Sequence, residues 1–290
     1  MGFGRWQPGT VRKFVKGFPT SARTALVETD IGLGFLKGMG GPEGLHTLAA
    51  EVIATQLAEW LGLPTFDCAI ITLDDVDEIP FLDKDGNQTG KALPGPAFIA
   101  KQERGGTWSG GKRDLLKLIN PEDVSVLVVF DTWVLNCDRF LSKPKGELGK
   151  PRINRDNVFL SEEAPEGQFL LKAMDHTHCF SCGRTWTKGL SQLDRIREER
   201  IFGLFPEFRS FLQREAVVRA ADKLRSIDRA TVVRMVEFLP KEWEVSRGAS
   251  DALIDLILGR ATFVADTIVT RIWPQGSLLA EEEEDTEPST

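Results

Sequence analysis

The amino-acid sequence predicts an α+β protein with two lobes, a small N-terminal sheet lobe and a mainly helical C-terminal lobe. Three observations predict this division. Short apolar stretches broken by Gly, Pro and Ser fill the first hundred residues. Beyond Gly183, Leu, Ile, Val and Phe recur at helical spacing. A chain of 290 residues is also long enough to bury two cores and leave a cleft between them.

The composition excludes several classes of protein. With 41% hydrophobic and 27% charged residues, the chain is ordinary for a globular protein. The formal net charge is −7, but six acids lie in the final EEEEDTEPST, so the rest is nearly neutral and shows no basic stripe for nucleic acid. No apolar run approaches the ~18 residues that span a bilayer, and the N-terminus lacks an apolar signal segment. We therefore expect a cytoplasmic protein in which Cys68 and Cys137 remain thiols.

The N-terminal lobe, residues 1–104, is predicted to be a sheet with one packed helix. Residues 11–39 have the pattern of strands and tight turns. A helix follows, because apolar residues recur at positions 45, 48, 52, 53, 57, 60 and 61 and the Gly and Pro of residues 62–64 end it. Short strands with an Asp-Gly turn return over residues 65–103.

Residues 105–275 are predicted to form the C-terminal lobe, after a glycine-rich segment and ahead of a disordered acidic tail at residues 276–290. Its second half has four stretches with helical spacing, over residues 191–205, 206–227, 228–240 and 248–273.

The middle of the chain is predicted to be a buried helix followed by a β-hairpin. Asn120, Pro121 and Glu122 are typical of a helix start, which places the helix over residues 122–136. Two apolar runs, DNVFL and QFLLKAM, flank the turn-rich SEEAPEG, as in a hairpin. If the turn centres near Ala164, facing residues have numbers that sum to roughly 328–330.

The predicted hairpin brings oxygen-bearing side chains together. Asn157 and Asp175 lie at its open end, where adjacent strands are ~4.8 Å apart. Asp138 enters the same neighbourhood if the preceding helix packs on the hairpin. One amide oxygen and two carboxylates suit Mg²⁺, with water and phosphate completing its octahedron. These residues therefore indicate phosphoryl-transfer chemistry.

The N-terminal lobe offers groups for the nucleotide phosphates. Lys37 ends a predicted strand ahead of the helix that carries Glu51, and such a pair positions a phosphate-binding ammonium group. The loop KGFPTSARTA is expected to cover the phosphates with the amides of Thr20, Ser21 and Ala22 and the charge of Arg23. It matches neither a Walker motif nor GxGxxG.

Five motifs in order, FLKG, AAEVIATQLAEWLGLP, DTWVLNCDRF, RDNVFL and AMDHTHCF, resemble those of the HipA-like kinases, distant relatives of the phosphoinositide 3/4-kinases. The resemblance covers residues 10–273 and implies a two-lobed protein-kinase-like fold. It further implies phosphate transfer from ATP, with Mg²⁺, to a Ser or Thr hydroxyl of a protein substrate whose identity the sequence does not indicate.

The resemblance assigns the acidic residues. Asp138 matches the Asp of the family's Asn-x-Asp-Arg-His stretch and would orient or deprotonate the acceptor hydroxyl, while Asn157 and Asp175 match its metal ligands. Phe140 stands where the family usually has His. The interval from Asp138 to Asn157 is also longer than usual, which implies an inserted loop over residues 141–154.

The resemblance also assigns the nucleotide contacts. Lys37 would touch the phosphates and Glu51 would hold Lys37. The stretch AFIAKQE, with Phe98 and Lys101, would contact adenine at the hinge. Two other functions stay open: a pseudokinase that binds nucleotide without transferring phosphate, which Phe140 favours, and a lipid kinase, against which the lack of a basic or amphipathic membrane-facing segment counts.

Two structural alternatives also stay open. Asp138 next to Arg139 is the pattern of an ion pair at a helix end. Four side chains of the stretch DHTHCFSC are metal-ligand types with CxxC spacing, which allows a zinc site formed by His176, His178, Cys179 and Cys182.

Overall fold

The computed structural model describes residues 3–142 and 151–274. Its N-terminal elements are β1 (Val11–Gly17), β2 (Ala25–Thr29), β3 (Gly32–Met39), α1 (His46–Leu61), β4 (Cys68–Leu73), β5 (Pro80–Leu82), β6 (Gln88–Lys91) and β7 (Leu93–Lys101). Five strands form an antiparallel sheet in the order β1-β2-β3-β7-β4, and β5 and β6 form a hairpin. The helix α1 packs on β3 and β7 and ends at Gly62, whose φ of 104° is left-handed.

The remaining elements are β8 (Gly105–Thr107), α2 (Lys112–Leu115), α3 (Asp123–Trp133), β9 (Phe140–Leu141), β10 (Arg152–Ile153), β11 (Val158–Ser161), β12 (Leu170–Ala173), α4 (Leu193–Ile196), α5 (Arg214–Arg225), α6 (Arg229–Glu237) and α7 (Arg247–Ile272). A three-stranded sheet in the order β12-β11-β8 faces the helices, and α3 packs against α5 and α7. The predicted fold class, an α+β chain with an N-terminal sheet lobe and a mainly helical C-terminal lobe, is confirmed.

The lobe boundary at residue 104 stays a prediction, with which the pairing of β8 to β11 agrees. The expected acidic tail at residues 276–290 and most of the expected inserted loop, residues 143–150, lie outside the described residues. Within the described ranges, no helix is both long enough and apolar enough to cross a membrane.

The predicted hairpin exists, but its register differs from the expected one. Val158 pairs with Ala173 and Ser161 pairs with Leu170, so facing residue numbers sum to 331. The turn is therefore centred one to two residues beyond Ala164. This shift brings Asp175 closer to Asn157 than the predicted pairing did, because each step of register moves one strand by a residue along the other.

The helix α3 starts at Asp123, later than the Asn120 cap that the sequence suggested. Asn120 instead ties the helix to the hairpin. Its amide donates to Asp123 Oδ2 at 2.6 Å and to Leu171 O at 3.1 Å, and its Oδ1 accepts from Leu171 N at 2.9 Å. The expected packing of this helix on the hairpin thus has a specific polar contact, which fixes the chain that follows α3 beside β12.

The prediction of a helix over residues 191–205 is wrong. Only α4, four residues long, is an α-helix there. Phe202 pairs with Leu141 in an isolated bridge and exchanges hydrogen bonds with the Thr132 hydroxyl, and Gly203 N donates to Phe140 O at 2.8 Å. Contacts with the residues around Asp138 therefore override the local helical periodicity.

Gly203 should be one of the positions least tolerant of a side chain. Its φ is 73°, and a Cβ there would lie 2.8 Å from the Cβ and Cγ of the buried Asp131. We expect Gly203→Ala to lower the free energy of unfolding by about 2–4 kcal/mol, since left-handed strain and overpacking add. Gly86→Ala is the matched control, because Gly86 has a φ of 82° with open space around it, and should cost about 1 kcal/mol. Equal losses in urea denaturation would contradict the packing account.

The cysteines differ from the expectation in one respect. Cys68 is a buried free thiol, as expected, and so is Cys179. Cys137, which was expected to be a thiol, is paired with Cys182 as a disulfide whose Cα atoms are 5.8 Å apart. The expectation for Cys137 was therefore wrong, because the turn after α3 brings it against a segment 45 residues further along the chain.

Candidate functional site

A cavity of about 630 Å³ lies between the N-terminal sheet and the C-terminal elements. Part of its lining is apolar and includes Phe35, Phe66, Phe98, Phe159 and Met174. A second part, called the polar cluster, consists of Lys37, Glu51, Asp138, Asn154, Asp156, Asn157 and Asp175. The volume is in the range of small-molecule sites, and a lining that is partly apolar and partly charged suits a ligand with a planar apolar part and an anionic part.

Lys37 pairs with two carboxylates of the polar cluster. It extends from β3, and its Nζ lies 2.8 Å from Glu51 Oε2 and 3.0 Å from Asp175 Oδ1. Burial lowers the pKa of Lys37, but the charges of Asp175 and Glu51 outweigh burial and hold it above its usual value. The ammonium group is therefore charged and connects β3, α1 and the end of β12.

Asp175 follows β12 in a left-handed backbone conformation, with a φ of 53°. The Thr177 hydroxyl donates to Asp175 Oδ1 at 3.0 Å. Burial raises the pKa of Asp175, but Lys37 and the Thr177 hydroxyl outweigh burial and hold this pKa below its usual value. The carboxylate therefore stays ionised.

Asp138 lies in the turn between α3 and β9. Its Oδ2 accepts from the amides of Asn157 at 2.9 Å and Asn154 at 3.3 Å, and its Oδ1 is paired with the Arg152 guanidinium. Burial raises the pKa of Asp138, but His178, Arg152 and Asn157 together lower it well below its usual value. Asp138 is thus a charged carboxylate within the cavity.

The neighbouring Arg139 does not pair with Asp138. Its guanidinium is fully buried and pairs with Asp131, which also accepts from the Asn136 amide at 3.0 Å. Arg139 also donates to Asn157 O at 2.9 Å and to Met174 O at 2.7 Å. The helix-end ion pair suggested by the sequence therefore exists with a different partner, and Arg139 holds both hairpin ends that carry Asn157 and Asp175.

Two oxygen-bearing side chains, those of Asn157 and Asp175, fit a magnesium ion. Both line the same part of the cavity next to Asp138. Mg²⁺ commonly takes one or two protein oxygen ligands and completes its shell with water and phosphate oxygens. No group of three or more His, Cys, Asp or Glu side chains with metal-binding geometry occurs among residues 3–142 and 151–274. The donor set therefore suits a hard cation that a phosphate ligand shares.

The loop between β1 and β2 borders the cavity. Thr20 and Ser21 line the cavity, and the Thr20 hydroxyl accepts from Thr24 N at 3.1 Å, which closes the loop on itself. Arg23, which was expected beside the phosphates, is not in the lining, because its guanidinium donates to Leu82 O at 2.6 Å.

The two expected hinge residues are placed differently. The Phe98 side chain is buried and lines the cavity. The Lys101 side chain is half-exposed, lies 4.0 Å from Asp67 and does not line the cavity. Phe140, at the position where a His was expected, is buried and packs on Phe205 with ring centroids 5.5 Å apart.

Several polar residues of this region were not predicted. Asn154 and Asp156 line the cavity, Arg152 pairs with Asp138, and Glu43 contacts His178. For Asn154 and Asp156, the clue was their position in the same NRDN stretch as Asn157. Nothing in the local sequence around Glu43 or Arg152 indicates a site.

The four candidate zinc ligands point to different partners. His178 contacts the carboxylates of Glu43 and Asp138, and Cys182 pairs with Cys137. His176 packs on the ring of Phe130, and Cys179 is a buried thiol. The structure therefore does not bring these side chains together around one point.

Comparisons with known proteins show the fold and the family of the chain. Among solved structures, a kinase from Helicobacter pylori, the proinflammatory kinase CtkA, matches over 93% of this chain and 99% of that chain, with a TM-score of 0.56 and 12% sequence identity. At that identity the likeness shows a shared fold. No curated protein matches the chain. The sequence model of the HipA-like kinases matches residues 29–262, which include every residue of the polar cluster. The chain therefore belongs to the HipA-like kinase family.

Proposed function

We propose that this kinase transfers phosphate from ATP, with Mg²⁺, to a Ser or Thr hydroxyl of a protein. One observation carries the proposal: Lys37, Glu51, Asp138, Asn157 and Asp175 line one cavity together with apolar side chains, and Lys37 is paired with Glu51 and Asp175 while Asn157 donates to Asp138. Protein kinases use this combination of a strand Lys, a helix Glu, a base-position Asp and an Asn-Asp metal pair.

Each residue has a role in the proposal. Lys37 binds the nucleotide phosphates, and Glu51 fixes its ammonium group. Asp138 accepts a hydrogen bond from the acceptor hydroxyl and takes its proton as phosphate is transferred. Asn157 and Asp175 hold Mg²⁺, which neutralises charge on the phosphates when bound. The apolar side chains of the lining, Phe98 among them, contact the adenine ring.

Thr20 and Ser21, which line the cavity from the loop between β1 and β2, are proposed to cover the phosphates. The proposal gives Arg23 and Lys101 no direct contact with the nucleotide, since the side chain of neither residue lines the cavity. Autophosphorylation on tyrosine is excluded, because the chain contains no Tyr.

A pseudokinase is the second candidate, and one contact favours it. Arg152 covers Oδ1 of Asp138, where an acceptor hydroxyl would have to bind. The Arg152 side chain is half-exposed, so its ion pair with Asp138 contributes little free energy. An acceptor can therefore displace Arg152 from Asp138 at low cost. We therefore favour the active kinase.

Incubation of the purified chain with γ-labelled ATP, Mg²⁺ and a cell lysate separates the two candidates. We expect label on protein Ser or Thr residues, and loss of that label when EDTA removes the metal. If no acceptor is labelled while ATP still raises the melting temperature, the protein is a nucleotide-binding pseudokinase. Label in the lipid fraction instead would identify a lipid kinase.

Lys37→Met should test the proposed contact of Lys37 with the nucleotide phosphates. We expect phosphate transfer to fall by about 10²–10³-fold, because a preorganised cation at the phosphates is lost. ATP affinity, measured by calorimetry, should also fall. Lys13→Met is the control, since Lys13 is exposed on β1, and should leave both quantities unchanged. Full phosphate transfer by Lys37→Met would contradict the proposed phosphate-binding role of Lys37.

A further inference from the structure

His178 joins two carboxylates that belong to different parts of the chain. It lies in the segment after β12, three residues beyond Asp175. Its Nε2 is 2.9 Å from Glu43 Oε1, and its Nδ1 is 3.3 Å from Asp138 Oδ2. The ring is 7% exposed, so water competes little with either contact. An imidazole with a carboxylate at each nitrogen is poorly explained as core packing.

Glu43 lies between β3 and α1, three residues before the helix starts at His46. This helix carries Glu51, which holds Lys37. Burial raises the pKa of Glu43, but hydrogen bonds from His178 and Ser21 lower it below its usual value, so this carboxylate is charged as well. Glu43 Oε1 therefore connects the start of α1 to the imidazole.

The Nε2 atom forms a hydrogen bond with Glu43, whereas Nδ1 contacts Asp138 at ion-pair distance without hydrogen-bond geometry. A doubly protonated ring carries the positive charge that compensates both carboxylates, which a neutral imidazole cannot do. Asp138 and Glu43 raise the pKa of His178 to about 9, so the doubly protonated form predominates at neutral pH. The charged groups that face this ring are Asp138 and Glu43, with Arg152 on the far side of Asp138.

Gly183 lies against the His178 ring and limits its position. Gly183 has a φ of 76°, and a Cβ there would lie 2.7 Å from Cδ2 of the imidazole. The space for any larger residue at 183 is therefore already filled by the ring. The segment that follows Asp175 thus presents the imidazole in one orientation, with its two nitrogens towards the two carboxylates.

We infer that His178 is a positioning residue that fixes the Asp138 carboxylate and fastens it to Glu43 at the start of α1. Through this bridge, the proton-accepting group of the C-terminal lobe and the helix that holds Lys37 are set in one arrangement. The inference rests on the proposed function for its effect on catalysis, but the bridge itself can be tested without activity.

The first test is an NMR titration of the imidazole Cε1–H signals. The chain has three His residues, so each signal can be assigned by substitution. We expect the His178 signal to titrate near pH 9 in the intact chain and at lower pH in Glu43→Gln, because one of its two carboxylate partners becomes neutral. A His178 signal that titrates near its usual 6.5, or that is unmoved by Glu43→Gln, would overturn the bridge.

The second test compares His178→Gln, Glu43→Gln and the double variant in the phosphate-transfer assay. We expect each single variant to lower kcat about tenfold with the KM for ATP changed less than about threefold, since Asp138 is misplaced while the nucleotide contacts remain. The double variant should be no worse than the singles, because both remove the same bridge. The pH dependence of kcat gives a further readout. In the intact chain, kcat should fall as the pH rises through about 9, because His178 loses a proton there. In Glu43→Gln, this fall in kcat should occur at lower pH.

Glu28→Gln, on the exposed side of β2, is the matched control and should leave kcat unchanged. Melting temperatures of all variants identify a simple loss of folding. If the intact chain transfers no phosphate, the proposed function fails while the titration still decides the bridge. If the intact chain is active and the single variants keep its full kcat, the positioning role is wrong.

Discussion

Asp138→Asn should lower phosphate transfer by about 10²–10⁴-fold, the usual contribution of a positioned general base, while ATP binding stays nearly intact. The asparagine keeps the size of the side chain, and its oxygen can still accept from the Asn157 amide, which now donates to Asp138 Oδ2 at 2.9 Å. The negative charge and the proton-accepting oxygen are lost. The measurement is transfer from γ-labelled ATP together with ATP affinity by calorimetry.

The control for this variant is Asp255→Asn, since Asp255 is exposed and pairs with Arg229 on the surface. It should keep full transfer. Two results would contradict the assignment of Asp138. If Asp138→Asn keeps full turnover, another group accepts the proton. If it loses ATP binding and transfer equally, Asp138 contributes to the nucleotide site and its role in proton transfer is unsupported.

Arg139→Met should have the largest effect on stability, a loss of about 3–5 kcal/mol in the free energy of unfolding. The substitution leaves the fully buried Asp131 without its charged partner and removes the hydrogen bonds to Asn157 O and Met174 O. Urea denaturation measures the loss. We also expect weaker ATP and metal binding in the folded fraction, because both ends of the hairpin lose a common support.

The stability of Arg139→Met should recover partly as the pH falls towards 5. Burial raises the pKa of the Asp131 carboxyl above its unfolded value, and the loss of Arg139 removes an influence that lowers it. The folded variant therefore binds a proton more strongly than the unfolded chain, so acid favours folding. Arg229→Met is the control, since it breaks an exposed pair and should cost less than about 1 kcal/mol. A similar loss in both variants would contradict the account.

Several features were predictable because their signals are local. The Gly62 stop, the periodicity of α1 and the apolar runs of the hairpin are properties of neighbouring residues, and they place Lys37, Glu51, Asn157 and Asp175 on their elements. The approach of Asn157 to Asp175 then follows from short-range geometry, since the strands of a hairpin are adjacent. The contact of Asp175 with Lys37 does not, because these two residues are 138 positions apart in the chain. The chemical roles of the residues stay predictions.

Other features were not predictable because they depend on long-range packing. Residues 191–205 have helical periodicity, yet hydrogen bonds with the turn around Asp138 hold Gly203 in a conformation that ends any helix. Glu43 and His178 are 135 residues apart, and no local pattern links them. His178 was visible in the sequence only as a possible metal ligand. Its carboxylate partners become visible only in the folded chain.

The left-handed backbone at Asp175 limits which residues can stand there. Asp, Asn and Gly adopt a φ of 53° at lower cost than Glu and most other residues. Of these three, only Asp carries a charge. At this position Asp therefore combines a low backbone cost with the charge that pairs with Lys37.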